Sequence, residues 1–152
     1  MSSTIEHCLN KASAPEIAEH LRACDDEFVP PLSGRVEIND YAIKIANSAT
    51  RFEAWADGEL IGLVAAYCNN EEDRVAYITS VSVRTKWTGS GIAARLLEQC
   101  ILYLKSVRFD HIELEVNGAN ARAIRLYAKM GFVRFEAQSE VLVLRLNPKR
   151  EA

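Results

Sequence analysis

The chain has 152 residues, of which 49% are hydrophobic and 26% charged, and this balance excludes a globally disordered protein. The net charge of -3 has the wrong sign for a domain that binds nucleic acid. The longest strongly apolar stretch, Leu60–Cys68, is about half of what a bilayer-spanning helix requires, and the polar first residues lack a signal-peptide core. We therefore expect one soluble, cytoplasmic domain over residues 1–152, with neither nucleic acid nor a membrane as a partner.

The first elements are a short strand near Thr4–Leu9 and a helix. The helix begins at Ser13, because Ser13-Ala14-Pro15-Glu16 has the S-x-x-E form of a capping box. Pro30-Pro31 ends it, since proline cannot donate to the helix ladder. The apolar residues that keep its helical spacing are Ile17, Leu21, Cys24 and Phe28.

A second helix follows a loop over Pro30–Val36. Asn39-Asp40 caps this helix, which runs to about Ala49. Its expected buried side consists of Ile38, Tyr41, Ile45 and Ala49.

Three antiparallel strands come next. Arg51–Ala56 and Leu60–Asn69 flank Asp57-Gly58-Glu59, whose Asp-Gly step favours a tight hairpin. The third strand, Arg74–Val83, is rich in β-branched residues.

A strand, a glycine turn and a long helix then form the first part of a βαβ unit. The helix opens at Gly89-Ser90-Gly91, and His111–Asn117 alternates apolar and polar residues, which predicts a half-buried strand parallel to the third. One apolar face of the helix carries Ile92, Leu96, Leu97, Cys100, Ile101 and Leu104.

Another helix and two strands complete the chain. The helix starts at Asn120 and ends at Gly131, a common left-handed stop. Strands are predicted near Phe132–Ala137 and Glu140–Leu146. The order of elements indicates an α+β fold around a mixed sheet.

No metal site is expected. The cysteines at 8, 24, 68 and 100 are widely spaced, which favours reduced thiols over a disulfide framework. His20 and Cys24 share a helix face, but the chain has no second pair with zinc-ligand spacing.

The glycine turn between strand and helix is the most informative segment. Backbone N–H groups of such a turn, together with the helix dipole, bind a phosphate well, although a tight turn alone also needs glycine. No P-loop motif is present. The turn matches the loose G-x-G-x-x-A dinucleotide fingerprint, but it follows three antiparallel strands, which argues against a doubly wound sheet.

The stretch from Val81 to Phe132 resembles the GNAT superfamily of acetyl-coenzyme A dependent N-acetyltransferases. That family carries V-x-V, then R-G-x-G-I/V-G/A, then N-x-x-A-x-x-L-Y-x-x-x-G-F. The corresponding segments here are Val81-Ser82-Val83, Thr88-Gly89-Ser90-Gly91-Ile92-Ala93 and Asn120-Ala121-Arg122-Ala123-Ile124-Arg125-Leu126-Tyr127-Ala128-Lys129-Met130-Gly131-Phe132. The resemblance implies a mostly antiparallel sheet of six to seven strands, about four helices and a central βαβ unit that binds acetyl-CoA, without a metal.

The resemblance also implies roles for individual residues. The pantetheine arm would pair with the backbone of Val81, Ser82 and Val83. The pyrophosphate would lie on the loop that comprises Thr88, Gly89, Ser90, Gly91, Ile92 and Ala93. Asn120 would hold the cofactor and Tyr127 would protonate the departing thiolate, although an N-cap and a core aromatic are the alternatives for these two.

One departure from the family pattern concerns charge. Thr88 stands where the family usually has Arg or Gln, and Lys86 is the nearest cation, with Arg84 beyond it. Lys86 would substitute as a point charge, without the planar fork of arginine. The alternative for both cations is a solvated surface position.

The acceptor amine must lose a proton, so the reaction needs a base or a water chain. The resemblance implies no single fixed base but candidates on the two central strands, which here are Tyr77, Thr79, Glu113 and Glu115. We select Glu115, because it is nearest the carboxyl end of its strand. A solvent-facing or cross-strand-paired carboxylate is the alternative. The cysteines are expected to pack, without a covalent intermediate.

The resemblance implies that the segment 24–35 walls the acceptor site. Asp25, Asp26 and Glu27 would attract an amine, and Arg35 would pair with a carboxylate or phosphate. The alternative is that these charges form a solvated helix end. The stretch Pro30–Arg35 is also similar to members of surface-polysaccharide pathways, which would make the acceptor a nucleotide-linked amino sugar.

The resulting hypothesis is direct acetyl transfer to a primary amine of a small molecule, and a homodimer is left open. The alternatives are a non-catalytic CoA-binding module and an acetyltransferase for protein lysines or amino termini.

Overall fold

The computed structural model describes residues 4–70 and 72–149. Within them, a seven-stranded sheet is covered by four helices. The strands are β1 Glu6–Leu9, β2 Ala49–Ala56, β3 Glu59–Tyr67, β4 Val75–Val83, β5 His111–Asn117, β6 Val133–Gln138 and β7 Val141–Leu146. The helices are α1 Ala14–Ala23, α2 Ile38–Ser48, α3 Ile92–Ser106 and α4 Ala121–Met130. The predicted α+β fold with a mostly antiparallel sheet is confirmed.

The strands lie in the order β1-β2-β3-β4-β5-β7-β6. β4 and β5 run parallel, and the other neighbouring strands in this list run antiparallel. A parallel pair needs a long crossover, which α3 provides, so the predicted βαβ unit is confirmed. The Asp57-Gly58 hairpin also forms, and both of its residues have positive φ, as this turn type requires.

Apolar side chains cover both faces of the sheet. On the face that α3 and α4 cover, Leu96, Leu97 and Leu104 of α3 are fully buried, and on the other face Ile17 of α1 and Ile45 of α2 are fully buried. Each face therefore has its own hydrophobic cluster, which holds the helices firmly on the sheet. Among the described residues, no helix is both long and apolar enough to cross a membrane.

The start of α3 is held close to the sheet by a glycine on β3. A Cβ atom added at Gly62 would lie 2.8 Å from Cγ2 of Ile92, the first residue of α3. Only glycine allows this approach. Packing thereby sets the position of the α3 N-terminus relative to β3.

Both predictions for the first two helices need correction. α1 ends at Ala23, before Phe28, because the backbone N–H of Cys24 bonds the carbonyls of His20 and Leu21 and tightens the chain into a 3-10 turn, Asp25–Glu27.

The cap of α2 is Glu37, whose carboxylate accepts a hydrogen bond from the Asn39 amide at 2.6 Å, so the predicted Asn39-Asp40 cap is wrong. Asn39 instead accepts a hydrogen bond from the guanidinium of Arg22. Ala42 occupies the buried position that was expected for Tyr41, and Tyr41 is only partly buried.

Candidate functional site

The parallel strands β4 and β5 separate part-way along their length. Their pairing runs from Val75 with His111 to Ile78 with Leu114 and continues no further. Beyond Ile78, the β4 residues remain paired with β3 on the other side. The edge of β4 that faces β5 therefore carries backbone N–H and C=O groups without a strand partner, which makes it a docking edge for an extended ligand.

A cavity of about 660 Å³ occupies this gap. Its walls come from the segment before α2, from β4 and β5, and from the first turns of α3 and α4. The volume lies within the range of small-molecule sites. It is open to both faces of the sheet, because residues from the α1–α2 side and from the α3–α4 side line it together.

The glycine turn forms the α3 side of the cavity. Gly89 and Gly91 have φ of 82° and 79°, a left-handed conformation that other residues rarely adopt. α3 follows directly, with Gly91 as its N-cap and no side chain capping its first turn. The free N–H groups of that turn and the helix dipole face an approaching anion.

Most of the predicted binding residues lie on the cavity wall. Those that line it are Val81, Ser82, Val83, Thr88, Gly89, Gly91, Ile92, Ala93 and Asn120. Lys86 and Ser90 are exposed and are not among the lining residues, and the Lys86 ammonium lies 5.7 Å from the ring centre of Trp87. Thr88 donates its hydroxyl hydrogen bond back to the carbonyl of Thr85 at 2.8 Å.

Arg84 turns away from the glycine turn. Its Nε donates to the carbonyl of Leu60 at 2.8 Å, and its guanidinium lies 3.7 Å from the carboxylate of Glu59. The Arg84 side chain is therefore bound to residues of β3 and does not replace the cation that the family motif usually carries at the position of Thr88.

α4 contributes Asn120 and Tyr127. The Asn120 side-chain oxygen accepts from the Ala123 amide at 3.2 Å, so the residue is an N-cap, and its amide hydrogens have no partner among the described residues. Tyr127 is buried against Phe132 with an edge-to-face contact. Burial raises the pKa of Tyr127 to about 12, so its hydroxyl keeps its proton at neutral pH.

Two acidic residues of the 25–27 segment are bound to the protein itself. Asp25 accepts hydrogen bonds from the amide and hydroxyl of Ser33, at 2.8 Å and 2.7 Å, and these lower the pKa of its carboxyl. Glu27 accepts from the Thr85 hydroxyl at 2.7 Å and lies 3.7 Å from the guanidinium of Arg122. Their first task is therefore to hold this loop against the rest of the molecule.

The two candidate carboxylates of β5 have different surroundings. Glu113 is paired with Arg145 of β7 at 2.9 Å, which is a structural contact. Glu115 is exposed to the cavity and faces the Tyr77 hydroxyl. Burial, followed by the negative charge of Glu115, raises the pKa of Tyr77 to about 12.

Hydroxyl groups line the α2 side of the cavity. The Tyr41 hydroxyl donates to the carbonyl of Thr79 at 2.7 Å, and burial raises the pKa of Tyr41 to about 12. Ser80 is buried beside it and lines the cavity. Its Oγ lies close enough to the Tyr41 hydroxyl to lower the pKa of that tyrosine slightly, yet it makes no hydrogen bond of regular geometry in the part of the chain that the structure describes.

Ser82 is held from behind by a buried histidine. Nδ1 of His20 lies 2.8 Å from the carbonyl oxygen of Leu60, which can only accept, so this nitrogen carries the proton. Nε2 then accepts a hydrogen bond from the Ser82 hydroxyl at 2.9 Å. Burial lowers the pKa of His20 to about 4, which keeps the ring neutral.

Sequence reasoning missed Tyr41, Ser80 and His20 as residues of this region. The spacing of apolar residues in the second helix predicts that Tyr41 is a core residue. The sequence indicates His20 only as one half of a possible metal pair with Cys24. The roles of Tyr41 and His20 depend on contacts with β4, 38 and 62 residues away in the chain, and Ser80 is a residue of that strand. Within residues 4–70 and 72–149, no three His, Cys, Asp or Glu side chains gather as ligands for a metal.

With this geometry established, comparison with known proteins identifies the family. The model of the Acetyltransferase (GNAT) family matches residues 14–132, which is well over half of the chain. The chain belongs to the GNAT acetyltransferase family. Enzymes of this family are acetyl-CoA-dependent N-acetyltransferases, so the resemblance carried by the V-x-V, glycine-turn and Asn120–Phe132 segments is confirmed.

Two curated relatives and one solved structure illustrate the match. A mycothiol acetyltransferase from Kineococcus radiotolerans is 32% identical over 111 residues, covering 68% of this chain and 34% of the relative. An N-acetylaspartate synthetase from Xenopus tropicalis is 30% identical over 96 residues, covering 63% of this chain and 35% of the relative. The chain thus spans about a third of the length of these relatives.

The structural likeness extends over nearly the whole chain. The crystal structure of the PaiA N-acetyltransferase from Thermoplasma acidophilum, in complex with coenzyme A, superposes with a TM-score of 0.75. The match covers 95% of this chain and 99% of that chain, at 15% identity. At that identity the likeness establishes the GNAT fold.

Proposed function

We propose that the protein transfers an acetyl group from acetyl-CoA to a primary amine of a small molecule. The observation that carries this proposal is the cavity between β4 and β5, which joins a glycine turn on one face of the sheet to Tyr77 and Glu115 on the other. Both curated relatives described above are named for small molecules, which supports an acceptor of that size.

The donor side of the cavity fits the chemistry of acetyl-CoA. In this proposal, the N–H groups of Gly89 and Gly91 and the start of α3 bind the pyrophosphate, and the unpaired edge of β4 at Val81 and Val83 binds the pantetheine arm through its backbone. Asn120 donates its free amide hydrogens. Lys86 and Ser90 act from the outer side of the loop.

Two side chains would handle the protons of the reaction. Glu115 accepts the proton that the amine loses as its nitrogen bonds to the acetyl carbon, and Tyr127 donates a proton to sulfur as the carbon–sulfur bond breaks. A backbone N–H at Val81 or Ser82 would polarise the thioester carbonyl. Because burial keeps the pKa of Tyr127 at about 12, this tyrosine is protonated and ready to act as an acid.

Thermal unfolding with acetyl-CoA tests the donor site. At a concentration near 100 times the dissociation constant, linkage adds about 2.7 kcal/mol to the free energy of unfolding, which raises Tm by several degrees for a chain of this size. NAD serves as the control for the dinucleotide alternative. Absence of a shift with acetyl-CoA, or an equal shift with NAD, would contradict the donor assignment.

A product screen tests the reaction itself. The protein is incubated with acetyl-CoA and separate pools of amino sugars, free amino acids and peptides, and each pool is analysed by mass spectrometry for the gain of one acetyl group. We expect acetylated small molecules. Acetylation confined to peptides would indicate a protein acetyltransferase, and binding without turnover in any pool would indicate a CoA-binding module.

A further inference from the structure

Arg35 differs from the other arginines that lie near the sheet. Four of them have a carboxylate partner in the protein: Arg51 with Glu53, Arg84 with Glu59, Arg122 with Glu27, and Arg145 with Glu113. Arg35 lines the cavity, and in the described part of the chain no carboxylate lies within ion-pair distance of it. Its fork of N–H donors is therefore available to a ligand.

Glu115 is a carboxylate that also lines the cavity and has no cationic partner among the described residues. Arg35 and Glu115 both act on the hydroxyl of Tyr77, one lowering and the other raising its pKa. They do not form an ion pair with each other, and among residues 4–70 and 72–149 Glu115 has no other cationic partner. Arg35, Tyr77 and Glu115 all line the cavity, which therefore presents one cation and one anion near a single tyrosine hydroxyl.

A buried hydroxyl lies in the same wall. Ser80 is 4% exposed and lines the cavity next to the Tyr41 hydroxyl, and its Oγ makes no hydrogen bond of regular geometry within the described ranges. Such an atom on a cavity wall is well placed to bind a polar group of a ligand.

The charge at this end matches a monoanion. Arg35 and Arg122 are the basic residues that line the cavity, and Arg122 is paired with Glu27. One free guanidinium balances one carboxylate and binds both of its oxygens with parallel N–H donors, whereas a phosphate dianion would carry a second negative charge that no other free basic residue of the lining balances.

Resting on the proposed acetyl transfer, we infer that the acceptor is a zwitterion of the amino-acid class, whose carboxylate binds Arg35 while its amine faces Glu115 and Tyr77. Arg35 is then a specificity-determining residue. It selects acceptors by the charge that accompanies the amine, and Ser80 adds a hydrogen bond within the same subsite.

The test compares each acid with its own carboxamide. The probes are the common L-amino acids, together with glycine, β-alanine and 4-aminobutanoate, each against the corresponding amide, and glucosamine against glucosamine 6-phosphate. We expect kcat/KM to favour the best acid over its amide by roughly tenfold or more. The amine of an amide is less basic and more often neutral, so this bias opposes the expected result.

Three variants assign the preference to Arg35. Arg35→Gln should lower kcat/KM for the acid by roughly 10- to 100-fold and leave the amide unchanged, which removes the discrimination. Arg35→Lys should retain part of it, because the charge remains without the fork. Arg134→Gln, which removes an exposed guanidinium from β6 outside the cavity lining, is the matched control and should behave as the wild type.

The outcomes separate this inference from the proposed function. Equal rates for acids and amides, a preference for glucosamine 6-phosphate, or a preference that survives in Arg35→Gln would overturn it. Acetylation of none of the probes, with acetyl-CoA still raising Tm, would overturn the amino-acid class while leaving the donor site intact. Absence of the Tm shift would instead refute the proposed function.

Discussion

Two groups of polar side chains in or beside the sheet differ in how many hydrogen bonds and ion pairs they make within the protein. One group surrounds Glu53 on β2 and is buried beneath α1 and α2. The other lines the cavity between β4 and β5 and includes Arg35, Ser80 and Glu115. The polar atoms of the first group form hydrogen bonds and an ion pair within the protein. The second group retains donors, acceptors and charges that lack such partners among the described residues.

The Glu53 network, formed by Arg51, Glu53 and Trp55, binds its charges completely. The Glu53 carboxylate accepts from the backbone of Lys11 and Ala12, from the indole N–H of Trp55 at 3.0 Å and from Nε of Arg51 at 3.2 Å. Arg51 also donates to the carbonyl of Ala12 at 3.0 Å. Such a network fastens the β1–α1 connection to β2 and offers nothing to a ligand.

The comparison shows how to separate structural from functional polar residues in this fold. Buried charges with a full set of partners stabilise the chain, and removing one of them leaves the rest uncompensated. Polar groups on a cavity wall without partners contribute little to folding, and a ligand completes their hydrogen bonds. Removing a residue of the first kind should affect stability, and removing one of the second kind should affect binding or turnover.

The largest expected effect is that of Glu53→Gln. The substitution removes the charge that balances buried Arg51, and we expect the free energy of unfolding to fall by about 3–5 kcal/mol, as measured by urea denaturation. Glu113→Gln is the control, because the Glu113–Arg145 pair is partly exposed and should contribute less than about 1 kcal/mol. Equal losses for the two variants would contradict the comparison.

Tyr127→Phe should have the opposite profile. Its hydroxyl makes no hydrogen bond within the described residues, so the variant should unfold close to the wild-type Tm. Loss of a general acid should lower kcat by about a hundredfold while acetyl-CoA binding is retained. Steady-state kinetics and the ligand-induced Tm shift measure the two properties, and unchanged turnover would remove Tyr127 from the mechanism.

His20 should make stability depend on pH. Its pKa is about 4 in the fold, against 6.5 for an ordinary histidine. Between these values the unfolded chain binds more protons, so stability is complete above pH 6.5 and falls as the pH drops towards 4. From pH 7 to pH 5 this residue should remove about 2 kcal/mol from the free energy of unfolding.

Substitution checks the source of that loss. Urea denaturation at pH 7 and pH 5 should show a smaller difference in His20→Gln than in the wild type, whereas His7→Gln, at an exposed position, should leave the difference in place. A wild-type protein equally stable at both pH values would show that His20 is not buried and neutral.

The smallest expected effect on stability is that of Ser80→Ala. Because Oγ of Ser80 has no partner, its removal should change the free energy of unfolding by less than about 1 kcal/mol. Ser82→Ala, two residues along the same strand, leaves Nε2 of His20 without its 2.9 Å hydrogen bond and should cost about 1–3 kcal/mol. Urea denaturation distinguishes the two serines, and equal losses would mean that Ser80 is bonded within the protein.

Sequence reasoning located most of the fold and much of the cavity. The capping box at Ser13 and Glu16, the Asp57-Gly58 hairpin and the left-handed Gly131 are all present. The prediction that residues 1–152 form one domain stays a prediction, as do the assigned roles of Glu115 and Tyr127, although both residues line the cavity.

Sequence reasoning was incomplete where the decisive contacts are distant, and the expectation that Asp25, Asp26 and Glu27 attract an amine stays a prediction. The apolar residues keep their helical spacing as far as Phe28, which predicts a longer α1. In the structure, a 3-10 turn over Asp25–Glu27 ends the helix, and the Asp25 carboxylate binds the backbone of Ser33. Asp25 and Glu27 were expected to attract an amine, but the loop uses their carboxylates to bind Ser33, Thr85 and Arg122. Such partners cannot be read from neighbouring residues.

By itself, the sequence determined the local elements and the family, because caps, tight turns and apolar periodicity depend on residues within a few positions of one another. Only the tertiary structure decided which charges are free. In the sequence, Arg51 and Arg35 both stand between uncharged neighbours and look alike. In the structure, Arg51 is buried against Glu53, whereas Arg35 lines the cavity without a carboxylate partner in the described residues. That distinction depends on how the strands and helices pack, which brings together residues dozens of positions apart.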